Sequence, residues 1–197
     1  MRFIIKSLAT ILAMLALSTN HLKAAAGEFG FGVDGGATYA DMKAEETAQQ
    51  IADLSGSTVT YTYDEATWAG RLFADYGITD DVNVELGWWV TGSLDATYTI
   101  SGASATESYT MSAFDVSLKV GSPVFVKGGI HRSTLNGAAT ITIDGTEYDI
   151  EDSISGTGWL IGGGLEIGDS RVGGSYIANV GGDSDSSTFF AYYGWTF

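Results

Sequence analysis

The stretch Phe189-Phe190-Ala191-Tyr192-Tyr193-Gly194-Trp195-Thr196-Phe197 closes the chain and decides its fold class. In steps of two from the last residue it reads Phe197, Trp195, Tyr193, Ala191 and Phe189, all apolar or aromatic. The alternate set, Thr196, Gly194, Tyr192, Phe190 and Thr188, is mixed. A period of two with one apolar face is a β-strand whose two faces meet different surroundings.

The same alternation recurs upstream. The first strand runs about Glu28 to Ala40, with Phe29, Phe31, Val33, Ala37 and Tyr39 on one face. A second carries Trp68, Gly70, Leu72, Ala74, Tyr76 and Ile78, and a third Val82, Val84, Leu86, Trp88 and Val90. The fourth shows Phe114, Val116, Leu118 and Val120; the fifth Val124, Val126, Gly128 and Ile130. The sixth has Trp159, Ile161, Gly163, Leu165 and Ile167, and the seventh Val172, Gly174, Tyr176, Ala178 and Val180. Tight turns at Thr79-Asp80-Asp81, Gly121-Ser122-Pro123 and Asp169-Ser170 alternate with long connections near 41–58, 95–109 and 133–156 and a shorter one at 181–186. Short and long by turns is the rhythm of an outer-membrane barrel. The expectation is an all-β, eight-stranded antiparallel transmembrane β-barrel, an up-and-down meander.

The N-terminus fits that address. Arg2 and Lys6 form a basic start, Ser7 to Leu17 an apolar core too short to span a bilayer, and Ala24-Ala25-Ala26 an A-x-A cleavage pattern. Residues 1–26 read as a cleaved secretory signal peptide, leaving 27–197 as one barrel domain. There is no cysteine, so an exported chain relies on no disulfide. Glycine is frequent (27), proline nearly absent (one), and the mean hydropathy of +0.11 is what alternating greasy and polar faces average to.

The Tyr76-Gly77-Ile78-Thr79-Asp80-Asp81-Val82-Asn83-Val84-Glu85-Leu86-Gly87 unit resembles a strand-turn-strand of the small OmpA-like and OmpX-like eight-stranded outer-membrane barrels. Lys127-Gly128-Gly129-Ile130-His131-Arg132 resembles that family's fifth strand, and Phe197 with its alternating aromatics resembles the C-terminal signature of outer-membrane barrels. The resemblance implies residence in the cell outer membrane, contact with its lipid and lipopolysaccharide, and engagement of the barrel-assembly machinery through the C-terminal strand. No peptidoglycan-binding domain follows the barrel in this sequence, so a wall-tethering role is not implied.

Six bases and 24 acids lie beyond residue 26. Strand parity turns Arg71, Lys119, Lys127 and Arg171 inward, with Asp34, Asp75, Glu85, Asp115 and Glu166. Charge against lipid costs about 2–4 kcal/mol for Lys or Arg at the midplane. An eight-stranded lumen is just wide enough for side chains to fill. The reading is a salt-bridged plug; a charged ion path is the alternative. Trp68, Tyr76, Trp159 and Trp195, with Phe197, read as membrane-interface aromatics rather than a ligand cage.

Fifteen acids fall in the four extracellular regions, with Lys43 and Arg132 the only bases near them. That surface repels nucleic acid. It serves solubility, or attracts divalent cations or a basic surface partner. Asp183-Ser184-Asp185-Ser186-Ser187 has oxygens at alternate positions but not a full calcium loop. Ala139–Ile143 and Thr146–Ile150 flank Asp144-Gly145, a type I′ hairpin signal, so the third loop is expected to stand as a fin. Val59–Tyr63 and Ala96–Ile100 suggest strands continuing above the membrane, with edges either self-paired or open to a partner. Ala44 to Leu54 suits a short helix.

No cofactor, metal or catalytic residue is assigned. His131 is the sole histidine after the leader, so a serine hydrolase would have to use it. His131, Ser133 and Glu147 faintly resemble the pattern of lipid A deacylase barrels, but Thr134 stands where that family has asparagine, and His131 points inward by parity. The function expected is structural or surface interaction and adhesion, with a narrow porin-like channel as the alternative and a lipid A-modifying hydrolase last.

Overall fold

The computed structural model describes residues 26–40, 43–184 and 186–197. The leader, apart from Ala26, lies outside them, as do Asp41 and Asp185. The described strands are β1 (Phe29–Ala40), β2 (Thr60–Tyr63), β3 (Ala66–Thr79), β4 (Val82–Thr91), β5 (Leu94–Ile100), β6 (Ala103–Val120), β7 (Val124–Ile143), β8 (Thr146–Ile167), β9 (Ser170–Ala178) and β10 (Ser187–Thr196). One helix, α1 (Ala44–Ser55), follows β1 and ends at Gly56, whose N–H donates to the Ala52 carbonyl in a left-handed cap.

Eight of these strands close a ring in the order β1-β3-β4-β6-β7-β8-β9-β10, all antiparallel, with β10 returning to β1. Closure matters because lipid offers no partner for a bare strand edge. The last residue takes part: the Phe197 N–H donates to the Phe31 carbonyl at 2.7 Å, extending the β1–β10 seam beyond Gly32 and Thr196. On the outer surface Phe29, Leu86, Phe114, Ile130, Ile161 and Ile167 are exposed, a band suited to hydrocarbon.

Three expectations are revised. The regions 95–109 and 133–156, expected as long connections holding a fin and strand continuations, are strand over nearly their whole length: β5 pairs with the upper half of β6, and β7 pairs with β8 up to Ile143 and Thr146. The seventh strand stops at Ala178. Asn179 adopts a left-handed conformation (φ 59°), and the chain turns inward over the barrel mouth through a single 3-10 turn, Val180–Gly182. Ala178 and Val180 are therefore buried rather than lipid-facing. The helix of the first loop spans Ala44–Ser55, one residue longer than expected.

β7 and β8 are 20 and 22 residues long. A spanning strand needs about 9–11 residues, so each arm continues for about ten more, roughly 30 Å along the strand. Above the ring the order is β2-β5-β6-β7-β8, an open five-stranded sheet. Asp144 and Gly145 both have positive φ (49° and 80°) at its tip, as a type I′ turn requires. α1 lies on its inner face, where Ala44 and Ala48 pack on Ala96 and Tyr98 with Ile51 and Val59 beside them.

Candidate functional site

Inward parity on successive strands assembles a charge cluster in the lumen. Asp34 stands on β1, Arg71 and Asp75 on β3, Glu85 on β4, Asp115 and Lys119 on β6, Lys127 on β7, Glu166 on β8 and Arg171 on β9. Arg71 grips Asp115 with two parallel hydrogen bonds, Nε to Oδ2 at 2.9 Å and Nη2 to Oδ1 at 2.7 Å. Its Nη1 reaches Glu85 at 3.0 Å and Asp34 at 3.5 Å. Arg171 holds the other side, with Nε donating to Asp34 at 2.6 Å and Nη1 to Glu85 at 2.8 Å. Asp34 and Glu85 are completely buried. Each is shared by both arginines, so neither carboxylate is left without a counter-charge.

Carbon completes the cluster. The Arg171 guanidinium stacks 3.6 Å from the Phe73 ring centroid, and Arg71 lies 5.3 Å from the same ring. Two glycines make the room. A Cβ on Gly87 would sit 2.3 Å from Arg71 Nε and Asp115 Oδ2, and one on Gly194 2.2 Å from Asp34 Oδ1.

Asp75 and Lys127 stand apart from the pairs their parity made available. Asp75 accepts from Asn83 Nδ2 at 3.1 Å and joins no ion pair among the described residues. Lys127 is buried with its Nζ 4.9 Å over the Tyr192 ring. Toward the short-turn end, Lys119 pairs with Glu166 at 2.6 Å. Asn83, Phe73 and Tyr192 were not singled out by sequence. All three share inward parity with a charged or mixed neighbour, the one signal that would have found them.

Above the charges lies an apolar layer that includes Trp89, Leu94, Met111, Leu160, Val180 and Phe190. His131 is buried beside this layer, its Nε2 2.8 Å from the Ala178 carbonyl oxygen. The Ser133 hydroxyl oxygen accepts the Gly181 N–H at 2.8 Å. Glu147 is on the outer face of the fin, nine residues above Gly156, the partner of Ser133. His131, Ser133 and Glu147 therefore do not converge on one another. Trp68, Tyr76, Trp159 and Trp195 are exposed on the outer wall, and Phe197 is half-buried at the seam. Their ring contacts are outer-surface pairs, such as Phe29 with Tyr76 and Trp159 with Tyr176.

The extension has the opposite polarity. Below the rim β8 turns Trp159, Ile161, Leu165 and Ile167 outward. Above it, the same outward parity carries Glu147, Asp149 and Glu151, and the inner face carries Tyr148, Ile150 and Ile154. A trough of about 220 Å³ opens on that inner face, lined by Glu107, Tyr109, Leu135, Ile150, Asp152 and Ile154 among others. Burial pushes the Tyr109 hydroxyl up to about 12, with the neighbouring Glu107 carboxylate adding to the shift. On the outer face, hydroxyls of Ser108 and Ser93 donate to Asp95 and hold its carboxyl below the ordinary aspartate range.

Closed ring, lipid-suited wall and filled lumen define an eight-stranded transmembrane β-barrel, the fold of the small outer-membrane proteins. Among solved structures the chain is similar to Ail, the attachment invasion locus protein of Yersinia pestis, in its complex with the heparin analogue sucrose octasulfate (11% identity, TM-score 0.52, covering 86% of this chain and 99% of Ail). It is also similar to the outer membrane protein OprG of Pseudomonas aeruginosa (11% identity, TM-score 0.51, covering 88% of this chain and 98% of OprG). At such identities the likeness is one of fold. No protein-family model and no curated protein matches the chain.

Proposed function

We propose that this is a structural and surface-interaction barrel of the outer membrane, exported by the leader at residues 1–26 and working through its extracellular sheet. The observation that carries the reading is the length of β7 and β8, about twice what a bilayer requires. Membrane burial and lumen packing account for the ring. Neither accounts for a sheet raised roughly 30 Å beyond it. Lipid and lipopolysaccharide are the partners of the wall, and the assembly machinery that of β10. Ail is described as an attachment protein and bound to a heparin analogue. The acid-rich extension here repels such a polyanion, so the partner in our reading is basic or bridged by divalent cations.

Removing the fin between Ala139 and Ile150 tests this. Folding and export stay intact while surface adhesion falls; unchanged adhesion overturns the reading. The channel alternative is weakened by the arginine–carboxylate cluster beneath its apolar layer, and large steady conductance by the refolded barrel would restore it. The reading includes no turnover: His131→Ala leaves the lipid A mass spectrum unchanged. Intact Met1 on protein from purified outer membranes would refute the leader.

A further inference from the structure

Neither membrane burial nor lumen packing accounts for the trough on the inner face of the extension. Strand register builds it in rows across β6, β7 and β8: Glu107, Ala139 and Ile150, then Tyr109, Gly137 and Asp152, with Leu135 and Ile154 below. α1 covers the β5 side of this face through Ala44 and Ala48, while Ile150 and Ile154 on the β8 side stay exposed. Gly137 keeps the trough open, because a Cβ there would stand 3.1 Å from the Tyr109 ring. An acid closes each side. The Tyr109 hydroxyl donates to Glu107 Oε2 at 3.1 Å, and Asp152 Oδ1 accepts the Ser153 N–H at 2.8 Å. Neither carboxylate forms an ion pair among the described residues, and residues 94–110 and 135–154 contain no Lys, Arg or His to supply one.

We propose that this trough binds a linear aliphatic diamine, with one ammonium at Glu107, the other at Asp152, and the polymethylene spine on the apolar floor between them. The inference rests on the surface-interaction reading and gives that surface a small-molecule ligand. The two acids stand two strands and one row apart, which puts their Cα atoms roughly 12 Å from each other. A single metal ion needs its oxygens within about 2.6 Å, so acids so placed do not share one. An anion is repelled by both, and an uncharged apolar molecule leaves both carboxylates unanswered. The floor between them, Ala139 and Gly137 with Ile150 and the Tyr109 ring at its sides, offers carbon and no hydrogen-bonding side chain to a ligand's middle. The volume of about 220 Å³ admits a short chain and not a folded peptide. One ammonium on one exposed carboxylate is held weakly. Joining two through a spine makes the second contact intramolecular, and burying the spine adds to both.

The test uses the full mature chain in nanodiscs of zwitterionic lipid, titrated with hexamethylenediamine and followed through the methyl resonances of Ile150 and Ile154. Hexylamine, hexanediol and magnesium chloride are the companion probes. The diamine should shift both methyls and bind about tenfold more tightly than each companion. Glu107→Gln or Asp152→Asn should each bring the diamine down to the affinity of hexylamine. Gly137→Val should abolish binding with both acids in place, and Asp149→Asn on the outer face should change nothing. Hexylamine or magnesium within about threefold of the diamine means charge alone and overturns the two-ended site. So does a diamine that leaves both methyls unmoved, or one that binds Gly137→Val as well as it binds the natural protein. The methyl shifts of the natural protein decide the matter even where a variant fails to fold. Adhesion after fin removal is read separately: if it falls while the diamine fails, the trough proposal is lost and the surface-interaction reading stands.

Discussion

Below the barrel rim every strand has a neighbour on both sides; above it β8 has one. The difference follows the solvent. In hydrocarbon an unpaired N–H or carbonyl finds no substitute partner, so the sheet has to close and Phe197 is drawn into the seam with Phe31. In water a bare edge is hydrated and closure is no longer obligatory. Polarity inverts at the same level. Along β8 the exposed apolar residues occupy odd positions from Trp159 to Ile167 and even positions from Tyr148 to Ile154, in one strand paired continuously with β7. The phase change falls across Ser155-Gly156-Thr157-Gly158, and it marks where lipid gives way to water. The ring is thus a structure fixed by its solvent, and the extension is the part free to be shaped for a partner.

The sharpest way to break that comparison is to remove one acid from each region. Glu85→Ala takes a carboxylate from both Arg71 and Arg171 and leaves buried positive charge short of partners. Breaking a buried pair in this way typically costs about 3–5 kcal/mol. Asp149→Ala removes a hydrated acid whose only described side-chain partner is the Thr140 hydroxyl, and should fall within about ±0.5 kcal/mol. Urea unfolding of the barrel in lipid measures both. Equal losses would mean that the lumen cluster is no more essential than the surface.

Glycine offers a second, smaller contrast. Gly87→Ala drives a methyl into the Arg71–Asp115 pair, and overpacking of this kind costs about 1–3 kcal/mol. Gly145→Ala meets no atom within 4 Å but must hold φ near 80°, so its strain stays at the fin tip. The first should lower the urea midpoint of the whole barrel. The second should leave that midpoint in place and speed amide exchange only around Asp144. A global loss from Gly145→Ala would show that fin and ring unfold as one unit.

Much of the ring was legible because lipid enforces the alternation without exception. Parity alone places Asp34, Arg71 and Glu85 on the inner face. It does not say that Asp34 joins Arg171 from 137 residues away, or that Lys127 rests on Tyr192 instead of a carboxylate. Those partners depend on strand tilt and register around the whole ring, which no local pattern records. The fin announced itself through Asp144-Gly145 and the short arms beside it, but those arms read shorter than they are because Ser, Thr and acids dilute the alternation between Arg132 and Ala139 and between Ile150 and Thr157. The inverted phase was present in Leu135, Ala139, Ile141 and Ile143, and in Tyr148, Ile150 and Ile154, and only a search for strands with reversed faces would have found it. The end of β9 was hidden for the opposite reason. Val180 continues the alternation perfectly, and a single Asn179 gives little warning that the chain turns left-handed there.

The smallest effect concerns the outer face of the extension, where β5 meets β6. Asp95 accepts hydrogen bonds from Ser108 and Ser93, and both favour its charged form. Its folded pKa therefore lies below the ordinary 3.8. A depressed folded value means that the contribution to local stability is complete above 3.8 and disappears as pH falls through the folded value. The group is largely exposed, so the effect should be confined to the β5–β6 arm and should not move the unfolding midpoint at neutral pH. Carboxyl carbon chemical shifts followed from pH 6 downward give the titration directly. Ser108→Ala removes the larger of the two causes and should raise the Asp95 midpoint toward 3.8. An unmoved Asp95 midpoint would mean that the serine hydroxyls do not point at it in solution, and that this face is as loosely ordered as any hydrated surface.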